Sequence, residues 1–111
     1  MREKQRFQIY RWAHTPKLSF TEFEALIQRD LHAQLGDFGV AAIGPRFKLF
    51  PIGTKGFVVK VRVESHANVM RVLKEFKGIR LVHVAGSARL AQKAVLKKLE
   101  GTVQTDTLAL W

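Results

Sequence analysis

The sequence predicts an α+β sandwich in which an antiparallel sheet is backed by helices. Three observations predict it. Apolar residues recur at helical spacing after Ser19, after Ser65 and after Ser87. Other stretches alternate apolar and polar residues, or run short and β-branched, as strands do. The two kinds of stretch interleave along the chain instead of segregating, which calls for strands and helices in shared layers.

The first strand is read at Phe7-Gln8-Ile9-Tyr10-Arg11-Trp12, rich in strand-forming side chains and broken by His14-Thr15-Pro16-Lys17. Tyr10 and Trp12 share one parity and Phe7 and Ile9 the other, so one pair is expected to be less buried. Ser19-Phe20-Thr21-Glu22 has the spacing of a capping box, in which the serine hydroxyl accepts from the third helical amide. Phe20, Phe23, Leu26, Ile27, Leu31 and Leu35 then recur on one helix face, and Gly36 is placed to end it. Gly39 to Pro45 reads as small and flexible. Arg46-Phe47-Lys48-Leu49-Phe50 alternates, Pro51 to Gly56 reads as a turn, and Phe57 to Val63 alternates again. That makes an antiparallel hairpin with Phe57, Val59, Val61 and Val63 on one face and Lys60 and Arg62 on the other. Ser65 is expected to cap a second helix with Val69, Val72, Leu73 and Phe76 as its buried stripe, stopped at Lys77-Gly78. Ile79 to Val84 is the last strand, and a third helix runs from about Ser87 to Glu100. The order gives two split βαβ units, a ferredoxin-like βαββαβ sandwich with an added C-terminal helix. Residues 1–100 are expected to be one domain and 101–111 a tail, with an oddly apolar end at Leu108-Ala109-Leu110-Trp111. Both connecting helices are expected on one sheet face, leaving the other for the extra helix or a ligand.

A chain of 111 residues can bury a core without staples, and with no cysteine it has no disulfide or thiolate-metal site. No apolar run is long enough to cross a membrane. The charged start leads into no signal-peptide core, so a soluble cytoplasmic protein is expected.

The charge is more telling. Nineteen cations against nine anions leave a net charge of +10, a self-repulsion that a bound polyanion would relieve. It is unevenly spread. Glu22, Glu24, Asp30 and Asp37 cluster in the first half. Phe38 to Val63 holds no acid but carries Arg46, Lys48, Lys55, Lys60 and Arg62. Phe76 to Leu99 again holds none but carries Lys77, Arg80, Arg89, Lys93, Lys97 and Lys98. On a helical wheel Arg89, Lys93 and Lys97 form an i, i+4, i+8 stripe opposite Ala88, Ala91, Val95 and Leu99. A solvated face ordinarily mixes signs; two acid-free basic blocks favour nucleic acid over an inert surface. Leu90 falls on the cationic side and hints at a protein partner, although single exposed leucines are also ordinary. Gly86-Ser87 sets free amides at a helix start, which suits a phosphate, although such a corner taken alone is more often an ordinary strand-to-helix turn with a serine cap.

Other motifs carry less. Lys55-Gly56-Phe57-Val58-Val59 partly resembles the aromatic strand of RNA-recognition motifs, but Phe57 shares its parity with core-like valines and is assigned to the core. Gly36-Asp37-Phe38-Gly39 and Gly53-Thr54-Lys55-Gly56 have G-x-x-G spacing without the two flanking helices of a KH clamp. His14, His32, His66 and His83 have no metal-ligand spacing. No nucleophile elbow or P-loop is present, so no catalytic residue, metal or cofactor is assigned.

Val82-His83-Val84-Ala85-Gly86-Ser87-Ala88-Arg89 followed by a basic helix resembles the ribonuclease P protein component two family (Pop-five/Rpp-fourteen) of archaea and eukaryotes. Arg6-Phe7-Gln8-Ile9-Tyr10 is similar to that family's opening strand, Leu35-Gly36-Asp37-Phe38-Gly39 to its Leu-Gly-x-x-Gly helix exit, and Gly56 to Val63 to its Gly-led strand. The resemblance covers roughly residues 5 to 100 in the right order. Gln8 departs from an otherwise apolar strand, and Ala85-Gly86-Ser87-Ala88 stands where the family has Ser-Gly-Thr-Ile. The resemblance implies a non-catalytic ferredoxin-like subunit of ribonuclease P, which removes the 5′ leader from precursor tRNA. It implies an RNA subunit that is the catalyst and uses magnesium. It further implies a TIM-barrel partner of the Rpp-thirty type, self-association within a heterotetramer, and a nuclear or nucleolar location in a eukaryote. On this reading Arg46, Lys55, Lys60, Arg62, Arg80, Gly86, Ser87, Arg89, Lys93 and Lys97 face RNA. The alternatives are a stand-alone single-strand RNA binder using exposed sheet aromatics, and a regulatory small-molecule module on the same fold.

Overall fold

A computed structural model of the chain describes residues 4–13, 18–44, 47–52 and 55–99. Arg46, His14, the Gly53-Thr54 part of one G-x-x-G and the expected tail lie outside them. The elements are β1 (Gln5–Trp12), α1 (Phe20–Ile43), β2 (Lys48–Ile52), β3 (Gly56–Arg62), α2 (Val63–Lys74), β4 (Ile79–Ala85) and α3 (Ala88–Lys98). The strands form one antiparallel sheet in the order β2-β3-β1-β4. This is the ferredoxin-like arrangement expected from the element order.

The sheet has two buried faces because its strands alternate between two cores. Tyr10, Phe57, Val59 and Val61 point toward α1 and α2, where Phe23, Ile27, Leu31, Val69, Val72 and Leu73 meet them. Phe7, Ile9, Phe50, Ile52, Val58 and Ala85 point the other way, against Ala91, Ala94, Val95 and Leu99 of α3. Each parity of β1 thus faces a core, and of the two pairs Tyr10 and Trp12 is the less buried, because Trp12 at the strand end is only partly covered. The apolar stripe of α3 needs a surface, and the sheet's second face supplies it. Leucine- and valine-sized groups gain about 1.5–3 kcal/mol each on full burial.

The second helix ends at Lys74, short of the stop expected at Lys77-Gly78, so that Phe76 packs from beyond it, and three other boundaries differ for local reasons. Gly36 does break α1, with φ 71° and ψ 177°, a conformation open to glycine alone. The chain then resumes helix to Ile43 instead of becoming a flexible segment, because Val40 and Ile43 pack onto the core. Pro51 lies inside β2, tolerated because β2 is an edge strand whose outer amides need no partner. The second helix starts at Val63 with Arg62 as its cap residue, so Ser65 is a buried first-turn residue and not the cap. The predicted caps at Ser19 and Ser87 are present: each hydroxyl accepts from a backbone amide, of Glu22 and Leu90 respectively, at 3.2 Å.

Gln8, the polar intruder in β1, is fully buried and fully used. Its Nε2 donates to His66 Nδ1 at 2.9 Å and to the His66 carbonyl at 3.1 Å, while Tyr10 Oη donates to its Oε1 at 2.6 Å. Burial pushes the Tyr10 phenol up. The link to Gln8 requires an unprotonated Nδ1. Burial, then the charge of Arg6, hold the His66 pKa below its usual 6.5. The unfolded chain therefore binds the proton more readily, and stability present above pH 6.5 is lost as pH falls through the lower folded value. Thermal melts of the protein are expected to show Tm falling below pH 6.5, and His66→Ala to flatten that slope while lowering Tm at neutral pH.

Candidate nucleic-acid interface

The fold sorts the charges by layer. The described carboxylates, Glu22, Glu24, Asp30, Asp37, Glu64 and Glu75, all belong to α1, α2 and the residue that ends α2. Among the described residues the strands and α3 carry no acid at all. They carry Arg6, Arg11, Lys48, Lys60, Arg62, Arg80, Arg89, Lys93, Lys97 and Lys98. The side made by α3 and the sheet face beneath it is thus cationic and free of acid among the described residues, while the described carboxylates lie in the opposite helical layer, mixed there with Arg29, Arg71 and Lys74. In a low-salt solvent such segregation focuses potential on one side.

Helix α3 lies with Ala91, Val95 and Leu99 buried against the sheet, which turns Arg89, Lys93 and Lys97 to solvent as the wheel requires. Leu90 and Leu96 are also about half exposed, at 53% and 55%, so the outer face of α3 mixes cations with leucines. A groove of about 660 Å³ runs between this helix and β4, bounded by His83, Leu90, Lys93, Ala94, Leu96 and Lys97.

The Gly86-Ser87 corner opens into a second concavity, of about 480 Å³, shared with Lys4, Gln5, Arg6 and Phe7. Antiparallel pairing of β1 with β4 brings these together, since Phe7 stands opposite Ala85. Two β1-terminal cations thus border a helix start whose free amides favour anions. Lys60 and Arg62 lie near the same sheet end, half-buried, with Arg62 Nε 3.5 Å from a carboxylate oxygen of Glu64. Lys48 stands directly opposite Lys60. Ser87→Ala is expected to lower stability by about 1 kcal/mol, the usual cost of a lost N-cap, read as a Tm decrease of a few degrees.

Of the residues singled out in the sequence, Lys60, Arg62, Gly86, Ser87 and Arg89 gather at the start of α3, and Lys93 and Lys97 continue along that helix. Lys55 and Arg80 sit at the other end of the sheet, where Lys55 closes the β2–β3 hairpin and its carbonyl accepts from the Trp12 amide at 3.0 Å. Sequence reading passed over Lys4, Arg6 and Arg11. Their proximity to the corner and to Arg80 depends on the β1–β4 register, which no local pattern encodes.

The aromatics give no open stacking platform among the described residues. Tyr10 is 1% exposed and stacks on Phe57 at 5.1 Å, and Phe57 is fully buried. No group of His, Asp and Glu among the described residues can hold a metal ion, and no helix there is long and apolar enough to cross a membrane.

Comparison with known proteins bears on the family and the fold. The model of the Rpp14/Pop5 family, a ribonuclease P protein family, matches residues 6–96. A chain in the cryo-EM structure of yeast ribonuclease MRP superposes with a TM-score of 0.60 at 13% identity, covering 90% of this chain and 93% of that one. At that identity the likeness speaks to the fold. The sequence finds no match among curated proteins.

Proposed function

The chain belongs to the Rpp14/Pop5 family, and from that premise we propose that it acts as a non-catalytic protein subunit of ribonuclease P. In this reading it supports the catalytic RNA in removing the 5′ leader from precursor tRNA. The observation that carries the reading is the acid-free cationic side built by α3 and the sheet strands. Such a surface neutralises phosphates and fixes the position of an RNA without reading its sequence. Arg89, Lys93 and Lys97 form its centre. Gly86 and Ser87 offer amides at the helix start, Lys60 and Arg62 extend the surface at that sheet end, and Lys55 and Arg80 extend it at the other. Arg46, beyond the described residues, belongs to the same assignment.

The protein brings no metal or cofactor of its own to this reading, and magnesium belongs to the RNA. The TIM-barrel partner of the Rpp-thirty type and self-association within a heterotetramer are further parts of the proposal. They rest on the family resemblance and on the leucines that interrupt the cationic face of α3. The cytoplasm, or the nucleus in a eukaryote, is the corresponding location. A stand-alone single-strand binder is not favoured, because α3 covers the sheet face such a protein would open and the sheet aromatics Phe7, Tyr10, Phe50 and Phe57 are buried.

Reconstitution tests the proposal. Ribonuclease P assembled from its RNA and protein subunits is expected to lose leader cleavage at low magnesium when this chain is omitted, and to regain it on adding the chain back. Full cleavage without it under every condition would contradict the assignment.

A further inference from the structure

We propose that Arg11 and Arg80 form a phosphate clamp for the RNA backbone, at the opposite end of the sheet from the Gly86-Ser87 corner. The inference rests on the RNA-binding reading above and adds a second contact point to it. Arg11 of β1 and Arg80 of β4 are register partners, directly opposite one another on adjacent strands. Like charges placed so repel, and a sheet ordinarily avoids them or pairs them with acids. Here both guanidinium side chains are exposed, and neither has a carboxylate partner among the described residues. The nearest acid in sequence, Glu75, accepts instead from Gln34 Nε2 at 2.8 Å on the α1 side.

Between the two arginines lies a concavity of about 350 Å³, lined by Arg11, Trp12, Ala13 and Arg80. Its frame is tied on both sides. The Ala13 amide donates to the Gly78 carbonyl at 2.8 Å, fixing β1 to the turn before β4, and the Trp12 amide donates to Lys55, fixing it to the hairpin. Lys55 and Lys77 therefore stand at the same end. Two guanidinium side chains carried on register-paired positions and lining one concavity can both donate to a single tetrahedral oxyanion, and a phosphate between them removes their repulsion. Arg11 and Phe7, whose partner Ala85 adjoins the corner, are four residues apart on β1, or about 13 Å at 3.3 Å per residue. One RNA can therefore touch both ends of the face.

The test compares the wild-type protein, R11A/R80A and R89E/K93E for binding to a ribonuclease P RNA transcript across a salt series. The clamp predicts that R11A/R80A binds roughly tenfold more weakly and that its slope of log K against log salt is shallower by about 1.5, two phosphate contacts fewer. It also predicts a Tm for R11A/R80A equal to or above that of the wild type without ligand. Added inorganic phosphate should raise Tm less in the variant than in the wild type, whereas a phosphate response with no loss of RNA affinity would assign the clamp to a free anion and overturn the RNA proposal. Unchanged RNA affinity and slope in R11A/R80A, alongside weakened R89E/K93E, would overturn the clamp while leaving the RNA-binding reading standing. No binding by the wild-type protein would overturn both. Intact RNA binding with loss of a protein subunit from the reconstituted particle would assign the pair to a protein interface and likewise overturn the clamp.

Discussion

Reversing Arg89 and Lys93 to glutamate together will weaken RNA binding by roughly 10- to 100-fold near physiological salt and flatten its salt dependence. The size follows from counterion release. Each cation that neutralises a phosphate contributes about 0.7–0.9 to the slope of log K against log salt, so two lost contacts reduce it by about 1.5. Reversal goes further than removal, because the new carboxylates repel the same phosphates and put acid on a face that carries none among the described residues. The substitutions leave packing alone: both side chains point to solvent while Ala91 and Val95, on the opposite face of α3, are fully buried. Tm should therefore change little. An unchanged salt slope in the double variant would remove α3 from the interface.

Phe57→Ala will have the largest effect on the fold. Phe57 is fully buried at the centre of an aromatic cluster, with ring centroids of Tyr10 at 5.1 Å, Phe23 at 5.2 Å, Trp12 at 5.3 Å and Phe20 at 6.3 Å. Truncating such a residue costs about 3–5 kcal/mol through lost transfer energy and the cavity left behind. A domain of this size has only about 5–15 kcal/mol in total. Tm should fall by roughly 12–20 °C in a thermal melt. Phe38→Ala is the control. Phe38 is 94% exposed just beyond the Gly36 break, and its loss should leave Tm within about 2 °C. Equal effects of the two would contradict the packing described here. Gly56 supports the same core from the backbone: a Cβ there would collide with the Tyr10 carbonyl, so a side chain would push β3 off β1.

The contrast between these two phenylalanines marks what local sequence carries. Phe57 was legible as core because it sits in an alternating run with Val59 and Val61, a period set by the pleat itself. Phe38 lies two residues after Gly36 in a short helical segment, and nothing nearby tells that it points to solvent. The caps at Ser19 and Ser87 and the Val69, Val72 and Leu73 stripe of α2 were legible for the same reason as Phe57, since each depends on neighbours within a turn or two. The resumption of helix after Gly36 was not, because glycine at that break looks like an ending and only the packing of Val40 and Ile43 on distant residues continues it. Val63 belonged by alternation to β3, yet the chain turns into α2 there.

The candidate site divides along the same line. The α3 stripe follows from the 100° wheel and one apolar face, both local. The arrangement of Lys55, Arg80 and Arg11 at one sheet end, and of Lys4 and Arg6 beside Ser87 at the other, depends on strand register. That register includes an irregularity between Ile9 and Tyr10, where β4 inserts Val82 between the partners His83 and Leu81. A one-residue change in pairing would move Arg80 to the other face of the sheet. Gln8 shows the converse case. A polar residue in an apolar strand reads as a departure, and only the fold reveals His66 and Tyr10 as its partners.

The most direct test of the central claim is to recover the tagged protein from its own cells and sequence the RNA that accompanies it. One abundant structured RNA, the ribonuclease P RNA, is predicted, together with a TIM-barrel protein subunit. A broad mixture of transcripts, or no RNA above background, would contradict the account.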